Sequence, residues 1–280
     1  RTHLAPRDGI HHAERDDYFR DPSTSTPRLH VLCRSLPQVR AIIGRGVSHV
    51  VADLAEPEDC AAAVRAARAG GAEILLAGLL ACRPDGLLVR NLAAAAFCAQ
   101  QGLPLVADFS LGAANELTVD SLRDLGAVRI TAAYDLHPQQ LLDLAAAVPP
   151  RWLEVVLYQH MPLFHSEHCL FRATAPLSPC GRGVGGEGNC GTPRGCGRPC
   201  RRHDLRLRDR RGAEHPLMVD AACRNTLFHA EARLDFEAVP GLLRRGVRDF
   251  RIEFLGFEGP EEVGQVLDRC RRAVAIGTEP

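Results

Sequence analysis

Between residue 28 and about residue 157, short apolar runs alternate with longer Ala/Leu/Arg stretches of helical period. LHVLC (29–33), HVVAD (49–53), EILLA (73–77), GLLVR (86–90), PLVAD (104–108), AVRIT (127–131) and LEVVLY (153–158) read as strands. SLPQVRAIIGRG reads as a helix, with Ser35 at its N-cap and Gly44 or Gly46 as its stop. PEDCAAAVRAARAGG, NLAAAAFCAQQG and PQQLLDLAAAV read as further helices, and SLRDLG as a short one. Strands buried on both faces and spaced by helices predict a mainly parallel sheet. The fold class is α/β, with a TIM-barrel-like (β/α) domain as the leading architecture. A doubly wound open sheet is the alternative, weakened by the lack of a GxGxxG after the first strand. The path between Leu76 and Gly78 is short, as if one helix were missing before LLACRPDG, so the barrel reads as incomplete.

The pattern breaks after Tyr158. Residues 159–226 hold six of the eleven cysteines. Inside this region, 174–195 is rich in Gly and Pro, lacks periodicity and reads as a flexible insertion. LRLRDR and HPLMVD follow as strand-like runs; then come a helix around 237–245, the strand DFRIEFL (249–255) and a last helix EEVGQVLDRCRRAV. The expected division is an irregular polar segment (1–27), barrel-like units (28–158), a cysteine-rich region (159–230) and a final β/α unit (231–280).

Composition narrows the function classes. Hydrophobic residues make up 46% and aromatics only 5%, so the core is built from Leu, Val, Ala and Ile. Acidic and basic residues balance at 34 each, so no global field draws nucleic acid. Every basic residue is Arg, which excludes a Schiff-base or P-loop lysine. No apolar run is long enough for a membrane helix, and the opening segment has no signal-peptide core. A cytoplasmic location without membrane partners is the expectation, and cysteines in a reducing compartment point to thiols or metal ligands. The chain does not begin with Met, which fits a piece of a longer protein.

The densest chemistry lies in QHMPLFHSEHCLF (159–171), where His165, Glu167, His168 and Cys169 fall within five residues. Cys196 and Cys200 follow in CGRPC, and Cys223 in ACRNT. Thiolates are soft ligands for iron–sulfur clusters and for zinc, and four from three segments can close one centre. By spacing alone, a cluster or metal stands modestly ahead of buried, inert cysteines. A cysteine-protease dyad of Cys169 with His165 or His168 lacks a recognisable oxyanion hole. HSEH is not HExxH, so a zincin is a poor fit. Asp53, Arg90, Asn91, Asp108 and Glu253 stand at strand ends, where they could line a substrate pocket; ordinary ion pairs and helix caps are the plainer reading. Arg224 and Asn225, next to Cys223, are further candidates. The Arg run at 198–211 could attract RNA phosphates, but it has no interleaved aromatics for stacking. Cys33, Cys60, Cys82, Cys98 and Cys270 read as core fillers, and Cys180 and Cys190 as non-ligands within the insertion.

MPLFHSEHCLF, CGRPC followed by RRHDLRLRDR, and ACRNTLF, in this order, resemble the signature region of peptidase family U32. LHVLCRS, DGLLVRN, ADFSL and Tyr134-Asp135-Leu136 are similar to the later half of the large U32 proteins. The resemblance implies a barrel fold and a 4Fe–4S cluster at the matching positions Cys169, Cys196, Cys200 and Cys223, with zinc as the alternative metal. The family is named for a collagenase-like peptidase activity, whereas better-understood members act in hydroxylation of tRNA or ribosomal RNA bases or in ubiquinone synthesis. An RNA-base or small-precursor hydroxylation enzyme is therefore the first expectation. A protease acting on protein substrates, and a non-catalytic half that packs on an N-terminal half or partner subunit, are the alternatives.

Overall fold

The computed structural model describes residues 26–77, 82–174, 199–201, 203–220 and 223–276. The insertion at 174–195 lies almost wholly outside them, as do Cys180, Cys190 and Cys196. The chain divides into two compact units, one running to Tyr158 and resuming at Leu234, the other covering Gln159–Arg233.

The first unit is a closed barrel. Its strands are β1 (Arg28–Cys33), β2 (His49–Ala52), β3 (Glu73–Leu76), β4 (Gly86–Val89), β5 (Leu105–Ala107), β6 (Ala127–Thr131), β7 (Leu153–Ser166) and, after the second unit, β11 (Asp249–Glu253). Neighbours pair in parallel from β1 through β7. β11 closes the ring, with His30 opposite Arg251 on one side and Asp249 opposite Glu154 on the other. The TIM-barrel-like expectation holds, and with eight parallel strands the ring is complete. The suspected gap falls in the β3–β4 connection at 77–85, of which 78–81 lie outside the described residues.

The helices are α1 (Leu36–Ile43), α2 (Pro57–Ala69), α3 (Leu92–Gln101), α4 (Glu116–Asp124), α5 (Pro138–Ala147), α7 (Val239–Arg244) and α8 (Pro260–Ile276). In α2, Pro57 opens the helix and Glu58 and Asp59 face the positive end of its dipole, while Cys60, Ala63, Val64 and Ala67 form its buried stripe. Ser35 does occupy the N-cap of α1, but its side chain makes no cap hydrogen bond. SLRDLG is the last part of the longer α4, whose cap is Asn115.

The second unit contains the outer part of β7, the short helix α6 (Leu170–Thr174), a 3₁₀ turn at Pro199–Arg201, and antiparallel β8 (Leu205–Arg208), β9 (Glu214–Val219) and β10 (Asn225–Leu234). Phe171, Leu217 and Leu227 form its small core.

The barrel interior departs from the usual branched-aliphatic filling. Leu32, Val51, Leu75, Leu88, Val106 and Val128 supply an apolar belt. Ionic side chains occupy alternate strand positions toward both ends. Toward the strand N-termini, Asp249 takes a two-pronged contact from Arg28 at 2.8 Å and a third hydrogen bond from His30 Nε2, also at 2.8 Å. Arg129 reaches Glu154 at 2.8 Å, and His49 reaches Glu73 at 3.2 Å. Burial opposes ionisation of Asp249, but His30, Arg28 and Arg129 outweigh it and hold the carboxyl well below its usual range. Burial, reinforced by Arg129, pushes the His30 imidazole down to about 4 against the partial support of Asp249 and Glu154.

A histidine lowered on folding weakens the native state in acid. Between its unfolded value near 6.5 and its folded value of about 4, only the unfolded chain takes up the proton. Stability should therefore fall by up to about 3 kcal/mol across that window because of His30. Urea unfolding measured from neutral pH to pH 4 should show a steeper loss for the native chain than for His30→Gln. Equal slopes would remove His30 from the account.

Candidate functional site

At the C-terminal ends of the strands, five elements converge on one set of charges. Arg34 follows β1, Asp53 follows β2, Arg90 follows β4 and Asp108 follows β5, while Arg251 and Glu253 belong to β11. Arg90 donates through Nε to Asp108 at 2.8 Å and through Nη1 to Asp53 at 2.9 Å. Arg251 donates through Nη2 to Asp108 at 2.5 Å and to the Thr131 hydroxyl at 2.9 Å. Its Nε lies 3.1 Å from Glu253 and 3.3 Å from Glu154. Arg34 spans Asp53 at 3.2 Å, Glu253 at 3.5 Å and the Phe254 carbonyl at 2.7 Å.

These environments separate the three carboxyls. Burial raises the cost of charge at Asp53 and Asp108, yet the arginines overcome it and keep both ionised. At Glu253 burial prevails, with Arg251 and Arg34 offsetting only part of it, so its carboxyl is raised above the ordinary glutamate value. Divergent carboxyls in one cleft are a common mark of functional sites. Asp53, Arg90, Asp108 and Glu253, picked out at strand ends, thus come together. Asn91 serves elsewhere, as the exposed N-cap of α3, accepting from the Ala94 N–H at 2.8 Å. Sequence reasoning missed Arg34, Arg251, Arg129 and Glu154. The alternation Asp249, Arg251, Glu253 against Phe250, Ile252, Phe254 was the available signal, because period two sends one set inward.

The cysteine-bearing unit is organised around Asn225, which is fully buried. Its Oδ1 accepts from the Leu170 N–H at 2.9 Å, and its Nδ2 donates to the Cys223 carbonyl at 3.2 Å. One side chain therefore ties the residue after Cys169 to Cys223. Cys169 and Cys200 both pack against the Phe171, Leu217 and Leu227 cluster. Cys223 sits in the turn between β9 and β10 with φ of 64°, a left-handed conformation uncommon for a residue with a Cβ. Its N–H donates to the Asp220 carbonyl at 3.0 Å, while Arg224 pairs with the Asp220 carboxylate at 2.7 Å. Arg224 thus builds the turn that presents Cys223.

The three polar candidates beside Cys169 are exposed. His165 engages the Thr226 hydroxyl at 3.0 Å and lies 3.8 Å from Glu167. The His168 N–H donates to Ser166 Oγ at 3.2 Å. The His165 ring is thus turned toward Thr226 and Glu167. Of the four thiols expected to converge, Cys169, Cys200 and Cys223 are half-buried, and Cys196 lies outside the described residues. The donor set suits a soft metal or cluster. Among the described residues, no group of three or more His, Cys, Asp or Glu side chains is already gathered to hold a metal ion. Among them too, no helix is long and apolar enough to cross a membrane.

An eight-stranded (β/α) barrel whose seventh strand runs on into a cysteine-bearing unit defines the class of protein. The family model for peptidase family U32 matches residues 62–275, so the chain belongs to that family. No curated protein matches it. Among solved structures, it is similar to the glycerol uptake operon antiterminator regulatory protein of Listeria monocytogenes at 15% identity, covering 49% of this chain and 80% of that one with a TM-score of 0.37. It is also similar to the Bacillus cereus spore cortex-lytic enzyme SleL at 9% identity, covering 95% and 86% with a TM-score of 0.40. Likenesses this distant carry no functional argument.

Asn225→Ala would remove the side-chain bridge between the half-buried Leu170 and Cys223. The expected loss is about 1–3 kcal/mol. Thiol alkylation under native conditions should at the same time speed up at Cys169 and Cys223, read by mass spectrometry of the labelled chain. Unchanged stability and labelling would mean that Asn225 does not hold these segments together.

Proposed function

We propose that this U32-family chain binds an iron–sulfur cluster through Cys169, Cys196, Cys200 and Cys223 and acts in hydroxylation of an RNA base or an aromatic precursor. The observation that supports this most is the Asn225 bridge, which brings the Cys223 turn to the start of α6 beside Cys169. The shared packing of Cys169 and Cys200 on one apolar cluster adds to it. A cluster held there would supply one-electron transfer. The chain's own part is to position the thiols, keep water from their apolar side through Phe171, Leu217 and Leu227, and set the local charge with Arg224 and Asp220.

The test is anaerobic purification of the full chain, followed by absorption spectroscopy and iron and sulfide analysis. A brown protein with near-stoichiometric iron and sulfide is expected. Cys169→Ser and Cys223→Ser should lose it, whereas Cys82→Ser should keep it. A colourless, iron-free chain that cleaves gelatin and is blocked by alkylation would make it a peptidase instead.

A further inference from the structure

Two thiols of the barrel meet at the start of α2. Cys60, one turn into the helix, is almost fully buried, at 2% exposure, and its S–H donates to the Leu54 carbonyl at 3.8 Å. Cys82 belongs to the connection from β3 to β4 and is half-buried. Its S–H donates to the Pro57 carbonyl at 4.0 Å. Pro57 and Cys60 are three positions apart in α2 and share one face of it. The chain beside Cys82 is held to the same helix, because Arg68 donates through Nη2 to the Arg83 carbonyl at 2.6 Å. The two thiols also act on each other electrically: burial pushes the Cys60 thiol up to about 11, and Cys82 adds to that rise. The other described barrel cysteines, Cys33, Cys98 and Cys270, are buried in β1, α3 and α8. Among the described residues, Cys82 is therefore the barrel thiol open to a reagent from solvent.

We propose that Cys60 and Cys82 are a reversible redox pair, which closes to a disulfide when a small disulfide oxidant such as oxidised glutathione reaches Cys82. The Cys82 thiolate attacks the oxidant, and one glutathione thiolate leaves. Cys60 then gives up its proton and attacks the Cys82 sulfur, and the second glutathione thiolate leaves. Together the two protein thiols lose two electrons and two protons, and one glutathione disulfide becomes two glutathione thiols. The raised Cys60 thiol makes the second step the slow one near neutral pH. Closing the bond also removes the S–H that the Leu54 carbonyl accepts. Leu54 follows Asp53, which pairs with Arg34 and Arg90 at the strand ends, so the oxidation state is felt beside that set. This pair belongs to the barrel alone and is independent of a cluster on the cysteine-bearing unit.

Peptide mapping of the full chain by mass spectrometry tests this. The chain has no lysine, so trypsin cuts it at Arg alone, and it spares the Arg83–Pro84 bond. Cys60 then lies on the peptide 46–65 and Cys82 on 69–90, each with no other cysteine. After treatment of the native chain with oxidised glutathione and quenching of free thiols, these two peptides should appear joined to each other. The link should form faster as pH rises and should vanish with dithiothreitol. Cys60→Ser should leave Cys82 carrying one glutathione, and Cys82→Ser should leave Cys60 unmodified. The same treatment in urea should lose the preference for this pair. A native chain that keeps glutathione on Cys82 and yields no joined peptide would overturn the proposal. So would equal linkage in urea, because nearness in sequence rather than the fold would then be joining the two thiols.

Discussion

A guanidinium with no access to water has to find its counter-charges inside the protein, and Arg251 sets that requirement at the centre of this barrel. It satisfies it by reaching Asp108 after β5, Thr131 on β6, Glu154 on β7 and Glu253 on its own strand. Three consecutive strands, β5 to β7, are thereby tied to the strand that closes the ring. Asp108 in turn orients Arg90, Arg90 orients Asp53, and Asp53 holds Arg34. The arrangement at the strand ends is thus an extension of the one that pairs Arg251, and burial raises the Glu253 carboxyl against the opposing pull of Arg251 and Arg34. Glu154, paired with both Arg251 and Arg129, links this network to the His30 and Asp249 cluster toward the strand N-termini, beside the apolar belt of Leu32, Val51 and Leu75.

The cysteine-bearing unit is built on another principle. Its core is a few apolar side chains, and its order comes from backbone groups captured by side chains. Asn225 joins two segments, Asp220 shapes the Cys223 turn with Arg224, and Asp209 closes the β8–β9 turn by accepting from the Arg211 and Ala213 N–H groups.

Much of the barrel was legible because its signals are local. Apolar runs such as GLLV and AVRIT and the helical stripe of PEDCAAAVRAARA each declare one element within a few residues. Asp53, Arg90, Asp108 and Glu253 stood out at strand ends. Arg251, Arg129 and Glu154 did not, because each is one charge inside an apolar run and its partners are far away along the chain. Arg251 and Asp108 are 143 positions apart, and only closure of the ring brings them together. Asn225 was noticed for its place beside Cys223, but its bridging role depends on α6, 55 positions earlier. The family resemblance rested on MPLFHSEHC and the downstream cysteines, which are chemical signatures that packing does not explain.

That Arg251 and Asp108 act as one coupled unit at the heart of the barrel is best tested by a double-mutant cycle. Arg251→Met, Asp108→Leu and the double variant would be compared by urea unfolding at neutral pH. Each single change strands a buried charge and should cost about 3–5 kcal/mol. The double change removes both charges and should cost little more than either alone, leaving a coupling of several kcal/mol. Losses that simply add would show that the two residues are independent and that the barrel does not depend on their pairing.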